Sequence, residues 1–275
     1  RTRFVNRAGQ PEAVLDAPAG FALAAQDVAG ASEIHAIWRA ERRHAFRLDG
    51  ESLLRVRLLR AAGERHVLVV TMHHIVSDAW SLGVFVNELT ACYRAFSQGA
   101  APALAALPFQ YADYAYWQQE SAQRAALGSQ ADYWRSRLHG MPASLALPHD
   151  FTRPAEPGLR GAAAYLQIPK ALTERLRQLG LRTDSTLFMS LFAAFSMLLS
   201  RRCGDVDFAV GTPVANRARR GTEGLIGFFV NLLVLRCDLA GDPGFDEVLR
   251  RTRESILGAY ANQDIPFEQV VEAVD

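Results

Sequence analysis

Val67–Ser81, VLVVTMHHIVSDAWS, is the stretch from which the rest of the chain can be read. Its opening run of Val, Leu and Thr predicts a buried strand, because branched side chains pack well on a pleated surface. Two histidines end that strand and an aspartate occupies the turn after them. A helix is then predicted from Ser81 to about Phe96, since Leu82, Phe85, Val86, Leu89, Tyr93 and Phe96 fall on one face. Alternation along a strand sends His73 and His74 to opposite faces. This argues against a metal held by both and predicts one working imidazole, His74, with His73 supporting it. Asp78 lies four residues beyond His74. It can cap the helix, orient a histidine or pair with an arginine. A single His in an apolar run is ordinarily a core residue; the adjacent pair followed by Ser-Asp-Ala-Trp-Ser points to chemistry instead.

The 275 residues suffice for one large domain or two medium ones. Apolar residues make up 49% and charged residues 21%, the balance of an ordinary globular protein. A net charge of +1 gives no global field for nucleic acid or an anionic membrane, so neither is expected as a partner. Cys92, Cys203 and Cys237 are scattered and show neither paired nor metal-ligand spacing, so reduced and largely buried thiols in a cytoplasmic protein are expected. No signal peptide or membrane-length apolar run is present in the sequence. Arg1 at the start and a helical pattern running into Asp275 give both ends the look of a chain cut from something longer.

Working outward, Phe21–Val28 alternates weakly as a strand, and Ala31–Phe46 has helical spacing with Ser32 as N-cap. Leu53–Arg60 and His66–His74, joined by a loop containing Gly63, read as a hairpin. Gln110–Gln119 and Ser129–Leu138 read as helices. Met141–Gly161 holds Pro142, Pro148, Pro154 and Pro157 and is the candidate linker. It divides the chain into a first lobe, 1–145, a linker, 146–160, and a second lobe, 161–275. In the second lobe Ala162–Ile168, Asp207–Pro213 and Phe228–Leu239 read as strands. Lys170–Leu181, Ser185–Arg201, Phe245–Tyr260 and Pro266–Val274 read as helices, and Val214–Gly227 as a basic loop. Strands and helices mixed in both halves define an α/β or α+β class.

Met72–Ser81, MHHIVSDAWS, resembles the MHHxxSDGWS signature of condensation domains of nonribosomal peptide synthetases, members of the HHxxxDG acyltransferase superfamily. Further stretches carry the likeness along the chain. Arg1–Phe4 (RTRF) resembles the end of RHExLRTxF, and Tyr111–Trp117 (YADYAYW) resembles YxDFAxW. Ile226–Arg236 (IGFFVNLLVLR) resembles IGxFVNTxxxR, Asn262–Glu268 (NQDIPFE) resembles HQDxPFE, and Gly211–Arg217 (GTPVANR) also fits. Family motifs expected before Arg1 and after Asp275 are absent, so both lobes are expected to be incomplete. Ala79 stands where the family has glycine; if that position needs a positive φ, alanine costs roughly 1 kcal/mol there.

The resemblance implies two chloramphenicol acetyltransferase-like lobes in a V with an active-site tunnel between them. It implies amide-bond formation between an acyl or peptidyl thioester and an aminoacyl thioester, each carried on the phosphopantetheine of a partner carrier protein. No cofactor bound by the domain itself is implied. The partners would be donor and acceptor carrier proteins and a neighbouring adenylation domain. His74 would serve the attacking amine, with His73 beside it. Ala79 would contribute a backbone N–H for the oxyanion, with a protonated imidazole as the alternative. Asp78 would form a structural salt bridge, with Arg217 or Arg1 (or Arg3) as its partner. Asn231 and Asn262 would make substrate or loop contacts and Trp80 would contact substrate, although Asn262 can equally be an N-cap or turn former before Pro266. A carrier-protein-binding scaffold with impaired catalysis is one alternative reading. An acyltransferase to a small alcohol or amine is another. Intact histidines exclude a heterocyclisation domain.

Overall fold

The computed structural model describes residues 1–17, 20–152, 154 and 161–274. The chain folds as two compact units. The first comprises residues 1–115 with 217–229, and the second comprises 116–216 with 230–275. The chain therefore returns to its first unit for a 13-residue segment before completing the second. The stretch 146–160, expected to separate the lobes, lies within the span of the second unit, and several of its residues fall outside those described. What ties 217–229 to the first unit is the set of long-range hydrogen bonds given below.

In the first unit, β1 (Thr2–Arg7) and β2 (Gln10–Leu15) form an antiparallel hairpin. Its turn is Ala8-Gly9, both at positive φ. A second sheet has the order β3-β4-β5, with β3 (Ala24–Asp27) parallel to β4 (Leu54–Arg60) and β4 antiparallel to β5 (His66–Met72). Between β3 and β4 runs α1 (Ala31–Glu41). Ser32, expected as its cap, lies inside the helix. The Glu33 carboxylate reaches back instead to accept from the Ala29 N–H at 2.9 Å. Ile34 and Ile37 of α1 pack on the buried cluster Val28, Leu59 and Val69. At its C-terminal end, buried Glu41 accepts from Arg55 (2.9 and 3.1 Å) and Arg57 (3.3 Å) of β4. The Arg55 hydrogen bond holds the Glu41 carboxyl below its ordinary value, against the opposing pull of burial. After β5, a short 3-10 turn (His74–Val76) leads to α2 (Ala79–Ser97), the predicted helix extended by two residues at its start. Along α2, Leu82, Val86, Leu89, Tyr93 and Phe96 are exposed. α3 (Tyr111–Gln118) spans the junction at 115/116.

The second unit holds α4 (Ser121–Leu138), α5 (Lys170–Arg182) and α6 (Leu187–Cys203). It also holds the antiparallel pair β6 (Asp207–Val214) and β7 (Asn231–Asp238), followed by α7 (Phe245–Ala261) and α8 (Phe267–Val274). Its core is continuous: Trp134, Phe208, Leu233, Leu235, Leu249 and Ile256 are each no more than 2% exposed. Full burial of one such aliphatic side chain contributes about 1.5–3 kcal/mol. Cys237 lies in this core, and burial pushes its thiol up to about 12, with nearby Asp207 adding to the shift. Cys92 and Cys203 are only half-buried, and all three cysteines are free. The strand expected at 162–168 does not form. Those residues are exposed, Tyr165 and Leu166 almost completely, with no neighbouring strand among the described residues to take up their backbone groups. Among the described residues no single helix is long and apolar enough to cross a membrane.

Candidate active site

β5 ends at Met72, and the His73 N–H donates to Leu53 O (2.9 Å), extending the ladder by one residue. His73 itself remains extended and caps the 3-10 turn: its Nδ1 accepts from the Ile75 N–H at 3.1 Å. A backbone N–H can only donate, so Nδ1 of His73 is the unprotonated ring nitrogen and a neutral ring carries its hydrogen on Nε2. The ring also meets Phe46 edge-on, with centroids 5.7 Å apart. The carbonyls of His73 and His74 accept from the N–H groups of Val76 and Ser77. His73 is thus fixed within the turn, whereas the His74 side chain is exposed and meets the Phe228 ring at 5.1 Å with the planes nearly perpendicular. The two imidazoles are turned to different neighbours, but not by strand alternation as expected: β5 stops at Met72 and His74 begins the 3-10 turn.

Asp78 is the hub beneath this turn. It is 5% exposed and N-caps α2, its Oδ1 accepting from the Ser81 N–H at 2.8 Å. The same carboxylate accepts from Arg217 Nη2 (3.1 and 3.3 Å) and from the Phe229 N–H (3.0 Å). Burial alone would raise its pKa. The hydrogen bonds from Ser81 and Phe229 and the Arg217 charge outweigh burial and hold the carboxyl below its ordinary value. Arg217, not Arg1, is therefore the salt-bridge partner. Arg3, the other alternative, pairs with Asp16. Arg217 is buried too, whereas Arg219 and Arg220 of the same basic loop are exposed. Its Nη1 donates to the carbonyls of Thr222 (2.6 Å) and Leu225 (2.8 Å), and its guanidinium lies 4.1 Å from the Phe229 ring centroid. Nε is the one buried side-chain polar atom, among the described residues, without a hydrogen-bond partner.

Ser81 and Gly227, which the sequence did not single out, and Tyr111, read there as part of a motif, complete the arrangement. Ser81 is fully buried; its hydroxyl accepts from Arg217 Nη2 (2.8 Å) and the Gly227 N–H (3.1 Å) and donates to Gly227 O (2.8 Å). Tyr111 donates its O–H to Phe228 O at 2.7 Å, and its ring lies so close to Gly227 that a Cβ there would overlap it. Burial, reinforced by the Asp78 charge, raises the Tyr111 pKa and keeps it a donor. Ser81 and Gly227 both lie within stretches that resemble motifs, yet nothing local in either stretch shows that they meet across 146 residues.

The remaining candidates fall as follows. Ala79 is the exposed first residue of α2 and does not have positive φ, so the backbone cost anticipated for alanine does not arise. Ala79→Gly is accordingly expected to leave the melting temperature unchanged or lower it, by up to about 1 kcal/mol in stability, because glycine is the poorer helix former. Calorimetry of the two proteins checks this, and a rise would contradict it. Trp80 donates from Nε1 to Glu223 O (2.9 Å), and its half-exposed ring has the Arg217 guanidinium 5.9 Å from its centroid.

Asn231 and Asn262 belong to the second unit, and both side chains are engaged by backbone. Asn231 Nδ2 donates to the carbonyls of Gln263 (2.8 Å) and Ile265 (2.7 Å), while Oδ1 accepts from the N–H groups of Leu232 and Phe267. This saturates the amide, so Asn231 is a residue that positions the 263–267 turn rather than a free substrate contact. Asn231→Ala is expected to cost about 1–3 kcal/mol by stranding those groups. Urea denaturation measures it, and an unchanged midpoint would remove the assignment. Asn262 is a C-cap, with its Nδ2 donating to Gly258 O (2.9 Å) and its carbonyl accepting from Trp134 Nε1 (2.9 Å). The turn-forming alternative is the one its geometry matches.

An exposed imidazole on a turn fixed by a capped helix and a buried ion pair is an arrangement suited to proton transfer at a surface-accessible reacting group. Residues 1–275 match the family model for the condensation domain throughout, and the chain belongs to that family. It is 42% identical over 281 residues to a linear gramicidin synthase protein of Brevibacillus parabrevis, covering 100% of this chain and 6% of that protein. The chain thus spans a small fraction of the relative's length. Its backbone matches the X-domain solved in complex with OxyB from teicoplanin biosynthesis with a TM-score of 0.91 at 30% identity, over 100% of this chain and 61% of that one. It also matches the first condensation domain of the calcium-dependent antibiotic synthetase, solved with substrate analogue 2a, with a TM-score of 0.77 over 100% and 65% of the two chains. At 23% identity, that second likeness is one of fold. The mixed α+β class and the family suggested by the motifs both stand, and the fold is the chloramphenicol acetyltransferase-like one of condensation domains.

Proposed function

We propose that this chain forms an amide bond between an acyl or peptidyl thioester and the amine of an aminoacyl thioester, both tethered to carrier proteins. The observation that carries this reading is the exposed His74 imidazole, borne on a turn whose other polar groups are held from beneath by Asp78 and His73. The amine nitrogen attacks the thioester carbonyl carbon, a C–N bond forms and the C–S bond breaks. The proton lost by nitrogen leaves with the thiolate as a free thiol. His74 hydrogen-bonds the amine and takes up its proton in transit. Holding two tethered substrates in attack geometry supplies a further share of the rate. The oxyanion is met by the protonated His74 imidazole or by the Ala79 N–H at the start of α2, where the helix dipole favours negative charge. His73, Asp78 and Arg217 hold the turn, and Trp80 offers a ring face to substrate.

Donor and acceptor carrier proteins, with phosphopantetheine arms, are the proposed partners. A neighbouring adenylation domain in one synthetase, and a cytoplasmic location, follow from the same reading. Intact-mass measurement of two loaded carrier proteins, mixed with the full-length protein, tests it. The donor group should appear on the acceptor carrier as an amide, and its absence at every pairing of cognate carriers would overturn the reading.

A second reading, a scaffold that recruits partners without catalysis, is favoured by the likeness to an X-domain solved with OxyB. Stable binding of a partner protein with no product from any loaded pair would select it.

A further inference from the structure

Phe228 is the outward-facing side chain of a segment that is otherwise clamped. On one side of it, the N–H and carbonyl of Gly227 are both bound by the Ser81 hydroxyl. The Phe228 carbonyl accepts from the Tyr111 O–H, and the next N–H, that of Phe229, donates to Asp78. The Phe229 ring points inward, 2% exposed, against Tyr111, Tyr114 and the Arg217 guanidinium. The backbone on both sides of Phe228 is therefore rigid, while its own ring is 39% exposed and stands against His74 at 5.1 Å and 88°. An exposed aromatic on a rigid platform cannot swing aside by a backbone movement, so it acts as a wall. An imidazole resting against such a wall loses the ring rotation that an exposed side chain otherwise has.

We propose that Phe228 is a positioning and specificity-determining residue for the reaction at His74. Its ring fixes the orientation of the imidazole and fills the space beside it, so the side chain at position 228 limits the bulk of the aminoacyl acceptor whose amine reaches His74. This rests on the reading of His74 as the reacting imidazole. Position is worth much at such a centre: a displacement of about 1 Å can cost on the order of 100-fold in rate. Steric discrimination by a wall of one side chain is worth roughly 10–200-fold.

The test uses the full-length protein labelled with 13C at histidine Cε1, with Phe228→Ala, Phe228→Leu and Phe228→Tyr variants. The His74 resonance is identified as the one lost in His74→Ala. It should move in Phe228→Ala and Phe228→Leu, which remove the ring current, and stay close to wild type in Phe228→Tyr. In parallel, kcat and KM are measured with carrier proteins loaded with glycyl, leucyl and tryptophanyl acceptors. Phe228→Ala should lower kcat for the glycyl acceptor roughly tenfold, as the imidazole loses its orientation. It should raise the tryptophanyl-to-glycyl ratio of kcat/KM by about tenfold, while Phe228→Tyr retains wild-type values. A His74 resonance unmoved in Phe228→Ala would overturn the positioning role. An equal fall for all three acceptors, tracking a lost melting temperature, would overturn the specificity role and leave Phe228 a packing residue. A wild-type protein that forms no amide would instead overturn the functional reading and the specificity role with it; the resonance still decides the positioning role.

Discussion

His74→Ala is expected to reduce amide formation between loaded carrier proteins by at least about 100-fold, since a positioned general acid or base contributes on the order of 10²–10⁴ in rate. The fold should survive, because the side chain is exposed and the turn is held by the His73 Nδ1, the Asp78 cap and backbone hydrogen bonds that alanine keeps. Initial rates by intact mass, alongside melting temperature, check both halves. A rate within a few-fold of wild type would remove His74 from the chemistry and leave positioning of the tethered substrates as the source of the rate. His74→Asn divides the contribution further. An amide can hydrogen-bond the amine but cannot take up its proton, so rate retained by asparagine measures hydrogen bonding alone.

The second large effect lies beneath the turn. Asp78→Ala removes the α2 cap, the acceptor for the Phe229 N–H and the counter-charge of Arg217 in one step. The Asp78 and Arg217 side chains are 4% and 2% exposed, so the arginine is left charged in the interior. Breaking such a buried pair costs about 3–5 kcal/mol. At roughly 2–4 °C per kcal/mol for a domain of this size, a fall of about 10 °C is expected. Asp78→Asn should lose less, because asparagine still caps a helix well while leaving the charge unmatched. Calorimetry orders the variants, and a fully stable but inactive Asp78→Asn would make the carboxylate a participant in catalysis. The pH dependence has a definite sign. A carboxyl held below its ordinary value near ~4 contributes stability that is fully present above that value and is lost as the pH falls through the lower folded-state value. Between neutrality and mild acid, Asp78 should therefore add no slope to the stability curve.

The elements legible in the sequence are those whose signal is local. β4, β5, α2 and most helices of the second unit follow from periodicity over seven or more residues, and their observed ends differ from the expected ones by few positions; α4 is the exception, starting at Ser121 rather than Ser129. The β1–β2 hairpin carries too little periodicity; it is made by a turn with Ala8 at positive φ, which alanine does not advertise. At 162–168 the opposite holds, since apolar residues without a neighbouring strand stay irregular and exposed. In the site, His73, His74 and Asp78 are legible because they share one turn. Ser81, Gly227 and Phe228 are not, because each depends on a partner far away in the chain. Composition also points to the proline-rich 146–160 as the division between lobes, whereas residues 217–229 return to the first unit through bonds that no local pattern announces.

That returning segment has a consequence for biosynthesis. Asp78 meets Arg217 139 residues later and the Phe229 N–H 151 residues later. At about 5–20 residues per second of translation, roughly 8–30 s separate the emergence of the aspartate from that of its last partner. Until Arg217 is added, 139 residues into that interval, the nascent turn carries a carboxylate destined for burial whose counter-charge has yet to be synthesised. His74 is thus among the earlier residues made, and the turn that bears it is among the last to be secured. Pausing the ribosome before residue 229 should leave a chain with β4 and β5 able to pair but with the turn above them unlatched.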